Sequence, residues 1–290
     1  MNKTQTNFVI FSKDRACQLH ACLESLSKHF KSDKEPTTTI IYKASTPEFD
    51  NGYEKLKQSF PETDNFVWAP EKDFKHQTVK AVHGFPWAPS QFTIFLVDDI
   101  IFVNDVNTSD KQFELIRNNS MIVGISLRLH NGVNHCYATN EIQNVPRFVK
   151  DVVWAWDQCN GDWGYPMSVD GNVYNTDFIS SFVDSLDYYN PNTFEAALDS
   201  VKHQTNIPSY LCCYPEAPKL INVPANRVQS AYKNRYAKGY TVEELNKFYL
   251  EGRTIDVDAY QGLKPNTVHV PIDLKFKDDS SYNMQVAFTG

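Results

Sequence analysis

The sequence predicts an α/β protein, a mostly parallel sheet with helices on both faces. Three observations carry this. Short β-branched runs alternate with amphipathic stretches through the first hundred residues, the order that builds parallel sheets. Several of the runs are continuously apolar, as strands covered on both faces are. Of the 290 residues, 41% are hydrophobic and 13% aromatic, enough for a sizeable core in one large domain or a domain with an appendage.

The elements follow in order. Residues 8–11 (Phe-Val-Ile-Phe) form an apolar strand that Ser12-Lys-Asp-Arg15 breaks. Residues 16–30 carry Cys17, Leu19, Cys22, Leu23 and Leu26 at helical spacing. A strand, a polar turn and a helix opening on Ser and Asp suit an anion or a nucleotide. Arg15 suits a base face or a phosphate there, and an ordinary capped turn gives the same pattern. Residues 37–42 are a second strand, 53–60 a helix ended by Pro61, and 66–68 a third strand. Residues 74–83 are a helix stopped by Gly-Phe-Pro-Trp-Ala-Pro at 84–89. The first strand is followed by neither G-x-G-x-x-G nor a P-loop, which argues against both nucleotide folds.

Residues 92–102 then read as a buried strand interrupted once, by Asp98-Asp99. Burying unpaired charge costs several kcal/mol. A divalent cation held by hard oxygens offsets that cost, at the strand end where open α/β sheets bind ligands. Two aspartates on an exposed turn are the alternative. Residues 113–118 are a helix and 121–129 a strand. Residues 130–150 are loop-rich, and their His130 and His135 read as surface or hydrogen-bonding groups.

From 153 to 174, three tryptophans and two tyrosines sit among acids, amides and glycines. Aromatic faces with polar neighbours hold sugar rings; a core beneath a Gly-rich loop gives the same composition. Asp162-Trp163-Gly164 reads as a loop at a pocket and Asp170-Gly171 as a hairpin turn. Asn190-Pro-Asn-Thr-Phe-Glu195 opens a helix to about 203, capped by Asn192 or Thr193, with Glu195 in its first turn. Residues 219–229 are a strand and a polar turn whose Asn226, Arg227 and Gln229 reach a ligand or satisfy loop backbone. Residues 230–235 continue as helix or turn. Thr241-Val-Glu-Glu244 is a capping box for a helix ending at Gly252. The polar tail, 278–290, reads as an edge strand or a fraying end.

Composition excludes some functions. The net charge is −7 and the pI about 5.6, so there is no basic footprint for nucleic acid. No apolar stretch is long enough for a bilayer, and no signal peptide is visible, so the expectation is a cytoplasmic protein. The six cysteines show no C-x-x-C pair and read as reduced thiols.

Ser12-Lys-Asp-Arg15 after the first strand, Gln18-Leu19 and Leu23-Glu-Ser-Leu26 on the helix, and Asp98-Asp99 closing a later strand together resemble a GT-A glycosyltransferase of the family 2 type. The likeness is clearest over about the first 130 residues. It implies a GT-A fold with a nucleotide-sugar-binding half, 1–130, and an acceptor-binding half, 131–290, sharing one sheet and one cleft. It also implies a UDP- or GDP-sugar donor, a carbohydrate acceptor, and Mn2+ or Mg2+ held by a D-x-D-like motif. The chain departs from that motif, reading Val97-Asp98-Asp99-Ile100. By similarity Asp99 takes the metal, Asp98 faces the ribose or a metal-bound water and is the second candidate ligand, and His269 completes the shell. Ser12, Asp14 and Arg15 join Asp98 around the donor. Glu195 resembles the general base of inverting members, with Asp170 and Asp162 as rivals. Two other classes stay open: a non-catalytic carbohydrate-binding protein, and a sugar nucleotidyltransferase. The latter normally carries a Gly-rich basic loop where this chain has Ser12-Lys-Asp-Arg15.

Overall fold

A computed structural model describes residues 6–84, 90–228 and 239–277. The expected helix stop at 85–89, the reading of Gln229 and of 230–235, and the tail 278–290 lie outside those residues. In chain order the first main elements are β1 (Thr6–Lys13), α1 (Ala16–His29), β2 (Thr37–Lys43), α2 (Pro47–Ser59), β3 (Phe66–Pro70), α3 (Phe74–Val82), β4 (Phe92–Val97) and β5 (Ile100–Phe102). Then follow α4 (Lys111–Asn118), β6 (Ile122–Ser126), β7 (Val153–Ala155), β8 (Asn172–Asn175), α5 (Thr176–Ser185), α6 (Pro191–Gln204), β9 (Tyr210–Cys213), β10 (Leu220–Asn222) and α7 (Val242–Leu250).

Eight strands form one sheet in the order β7-β9-β6-β8-β4-β1-β2-β3. β1 pairs in parallel with β2 and β4, and β2 with β3. β8 runs antiparallel to both β4 and β6. This reversal positions the site. Because β8 points the other way, its entry, Asp170-Gly171, lies beside the exit of β4, Asp98-Asp99. Gly171 donates its amide to the Phe95 carbonyl at 2.8 Å. It sits at φ +80°, and a Cβ there would meet the Leu220 side chain at 2.8 Å, so this entry requires glycine. Asp170-Gly171 is therefore a sheet entry and not the expected hairpin turn, since the chain before it belongs to no strand.

The core lies on both faces of the sheet, as the apolar runs predict. Phe8 and Ile10 pack with Leu19 and Leu23 of α1; Val9 and Phe11 point the other way, toward Phe74 and Phe194. Cys212 and Cys213 divide likewise between the two faces, and all six thiols are free. The predicted strand 92–102 is two strands: the chain turns at Asp98-Asp99, and β5 pairs with β10 in a separate ribbon. α2 begins six residues earlier than expected, with Thr46 as its cap and Pro47 in its first turn. No helix among the described residues is long and apolar enough to cross a membrane.

Four of the five tryptophan and tyrosine rings in 153–174 (Trp154, Trp156, Trp163 and Tyr174) are core rather than a sugar platform, and the fifth, Tyr165, is half-buried at the cleft. Trp154 and Trp163 are 0% exposed and meet edge to face at 5.0 Å. Their ring N–H groups donate to the carbonyls of Trp163 and Val133 at 3.0 and 2.9 Å. Both polar edges are thus used internally. Trp163→Ala is expected to lower unfolding free energy by about 3–5 kcal/mol in urea titrations; a change below about 1 kcal/mol would show that the ring is not packed as described.

Candidate active site

A cleft of about 770 Å³ opens at the C-terminal ends of β1 and β4 and the entry of β8. That volume lies within the range of small-molecule sites. Ser12, Arg15, Asp98, Asp99, Asp162, Asp170, Glu195 and His269 all line it. Asp14 does not. It sits at φ +58°, and its carboxylate accepts the Ser45 amide and hydroxyl, each at 2.6 Å. The residue expected near the donor therefore pins the loop between β2 and α2. Arg15, not Ser or Asp, occupies the N-cap of α1, with no side-chain cap.

The two neighbouring aspartates have different jobs. Asp98 is 4% exposed. Its Oδ1 accepts from Arg15 Nη1 at 3.0 Å, and its Oδ2 accepts from the Ser12 hydroxyl and the Lys13 amide at 3.0 and 3.1 Å. Both oxygens are engaged, so Asp98 anchors the β1 turn rather than presenting an open ligand. The compensation expected from a cation is supplied here by a guanidinium. Arg15 also donates through Nε to Asn226 Oδ1 at 2.9 Å, and Asn226 uses its side chain to hold this cation. Among the described residues Asp99 accepts only the Asn222 side-chain amide, at 3.1 Å on Oδ1, and its Oδ2 is 3.7 Å from Arg15. Burial pushes the Asp99 carboxyl up to about 6; Arg15 opposes this, and the charges of Asp98 and Asp170 add to it.

Asp170 lies 3.2 Å from Arg128 Nη1 and 3.5 Å from His269 Nε2. Burial opposes its charge, but the hydrogen bond from His269 and the guanidinium of Arg128 prevail and hold it below the usual range. His269 reaches the cleft because its backbone bridges to Asn222 beside β10: Val270 donates to the Asn222 carbonyl at 2.8 Å.

Glu195 projects from α6. The cap of that helix is Asn190, in a box with Thr193, and Pro191 takes the first turn. Glu195 therefore stands beyond the first turn, correcting both the cap at Asn192 or Thr193 and the first-turn position. Its Oε1 accepts the Ser168 hydroxyl at 2.9 Å and the Val169 amide at 3.1 Å. Burial, then the charge of Asp170, pushes its carboxyl up to about 7. Among cleft acids, one stays ionised while another is poised near neutrality, the separation that general acid–base work uses. Asp162 differs: its Oδ2 and amide both bond Gln143 at 2.8 Å, which fixes the 161–164 turn against the 136–143 loop.

Among the residues that escaped the sequence reading are Arg128, which lines the cleft, and Ser168, buried beside Glu195. Arg128 had a signal: it is the one cation in an otherwise uncharged run, 121–129, as Asp98-Asp99 are in theirs.

No three His, Cys, Asp or Glu side chains among the described residues are grouped as a complete metal shell. Asp99 and His269 fit part of one. Among the described residues Asp99 carries one hydrogen bond, and His269 has a buried Nδ1 with no hydrogen-bond partner. Magnesium-type sites commonly use one or two protein ligands and complete the shell with substrate phosphates and water.

No family model matches the sequence. It is 24% identical over 297 residues to the bifunctional glycosyltransferase pgtA of Dictyostelium discoideum, covering 90% of this chain and 38% of that protein. The chain thus spans about two fifths of that relative's length. Among solved structures, Staphylococcus aureus TarS aligns with a TM-score of 0.45 and 14% identity over 77% of this chain and 37% of TarS. TarS 1-349 in complex with UDP gives 0.45 and 14% over 74% of this chain and 59% of that one. Over nine tenths of its length, this chain is similar to part of a glycosyltransferase, the class that its motifs resemble.

Proposed function

We propose that the chain is a glycosyltransferase that moves a sugar from a nucleoside diphosphate donor to an acceptor hydroxyl with inversion. The observation that supports this best is the meeting of Asp99, Asp170, Glu195 and His269 in one cleft at the sheet's C-terminal edge. The donor diphosphate lies along the Asp99 side and the acceptor along the Glu195 side. Glu195 takes the proton of the attacking hydroxyl; a carboxyl near 7 holds it only as long as transfer requires. Asp99 and His269 would hold Mn2+ or Mg2+, which when bound neutralises charge on the diphosphate leaving group. Arg15 and Ser12 act one layer back, keeping the β1 turn and Asp98 in place. Asp98 is not offered as a direct metal ligand, because its oxygens are already engaged.

The non-catalytic carbohydrate-binding alternative drew on the 153–174 aromatics; Trp154, Trp156, Trp163 and Tyr174 are buried, which leaves Tyr165 as the ring of that group at the cleft. The direct experiment is a screen of UDP- and GDP-sugars with Mn2+ or Mg2+ and a panel of glycan acceptors. Nucleoside diphosphate release that depends on acceptor is the expected result. Sugar binding with no nucleotide effect would favour the binding module. Transfer should rise with pH about a midpoint near 7, as Glu195 loses its proton; a flat profile from pH 5.5 to 8.5 would remove Glu195 as base.

A further inference from the structure

We propose that Arg128 is a positioning residue, a single buried cation that ties the donor-side acid and the acceptor-side base into one hydrogen-bonded frame. The inference rests on the transfer reading above. The Arg128 side chain is 9% exposed. Nη1 donates to Asp170 Oδ2 at 3.2 Å and to Asn222 Oδ1 at 3.1 Å. Asn222 in turn donates through Nδ2 to Asp99 Oδ1 at 3.1 Å. Nη2 donates to the Ser168 oxygen at 2.8 Å, and that hydroxyl donates to Glu195 Oε1 at 2.9 Å. One guanidinium thus touches Asp170 directly, Asp99 through one amide and Glu195 through one hydroxyl.

The polarity of these bonds matters. Arginine only donates, and it keeps its charge at any working pH. Because Arg128 fills Asn222 Oδ1, the amide must present its N–H to Asp99. Ser168 accepts from Arg128 and from the Asp170 amide at 3.1 Å, so its one proton is left for Glu195. The cation therefore fixes which partner donates at both carboxylates. A lysine supplies the charge but not the fork, and so cannot hold Asp170, Asn222 and Ser168 together. The charged and titratable groups facing Glu195 are Asp170, Arg128 and Tyr174, with Tyr165 beside it; Arg128 is the cation among them.

The test compares Arg128→Lys and Arg128→Gln with wild type, using the donor and acceptor that the wild-type protein turns over. The expected result for Lys is a kcat loss of about 100-fold, with acceptor and donor KM changed by less than about 3-fold, because geometry and not binding is lost. Gln should lose as much and also move the midpoint of the kcat–pH profile upward by about half a unit or more, since a positive charge near the base is gone. A passive structural role would leave that midpoint in place. Should either variant fail to fold, Ser168→Ala and Asn222→Ala decide. The first should lower kcat and shift the pH midpoint, and the second should weaken metal-supported nucleotide binding. Wild-type kcat in Arg128→Lys, or unchanged behaviour of both fallback variants, overturns the assignment while leaving the transfer reading intact. No turnover by wild type with any donor sinks the transfer reading, and this assignment with it.

Discussion

Glu195→Gln is expected to lower kcat for transfer by about 10²–10⁴-fold, the usual worth of a positioned general base. The amide keeps the shape and can still accept from Ser168 and Val169, so binding of nucleotide with metal should survive. The same variant should be more stable than wild type at pH 8. Burial, with Asp170 adding to it, raises the folded-state pKa of Glu195 from 4.5 to about 7. The folded protein then binds a proton that the unfolded chain releases. The associated stability is full below about 4.5 and is lost as pH rises through about 7. At pH 8 wild type carries a partly buried anion that the amide lacks, a difference on the order of 1–3 kcal/mol. At pH 4 the two should melt together. Thermal melts of both proteins across pH, with initial rates at saturating donor, read both effects. If Glu195→Gln keeps more than a tenth of wild-type kcat, the base is elsewhere, with Asp170 and Asp162 next to be tried.

Arg15→Met should be the most destabilising single change in the cleft, by about 3–5 kcal/mol, because it strands the buried carboxylate of Asp98. Ser12 and the Lys13 amide would still donate to that group, but the opposite charge at 3.0 Å would be gone. Asn226 would lose the Arg15 donor as well and keep Gln18 on the same oxygen. Adding Asp98→Asn should recover part of the loss, since the uncompensated charge goes with it. Urea unfolding of the single and double variants measures the coupling. A loss under 1 kcal/mol for Arg15→Met, or no recovery in the double variant, would mean that the pair does not carry this part of the fold.

Much of the framework was legible in the sequence. Continuous apolar runs marked β1 and β4 because strands covered on both faces have no polar side to show, and a β-branched run, Thr-Thr-Thr-Ile-Ile, marked β2. Asp98-Asp99 marked the cleft because two acids do not close such a run without compensation. The antiparallel β8 was hidden. Its four residues, Asn-Val-Tyr-Asn, are too few to carry a period, and its direction is set by pairing with strands far along the chain. The aromatic stretch misled because composition does not say which way a ring faces. The indole N–H groups of Trp154 and Trp163 find carbonyls inside the fold, and a sugar platform would have kept such edges wet. The pair of aspartates also could not be apportioned from sequence. Which one meets Arg15 depends on how the chain turns after Val97. The α6 cap was readable in principle, since a proline in a first turn points to the residue before it.

The most direct measurement of the central claim is thermal melting of wild type and Asp99→Asn with UDP or GDP, with and without Mn2+. The account predicts that nucleotide and metal together raise the wild-type melting temperature, by the logarithmic dependence of stability on ligand concentration. It predicts that Asp99→Asn loses the metal-dependent part. A shift of the same size in Asp99→Asn, or no response of wild type to either nucleotide with metal, would contradict it.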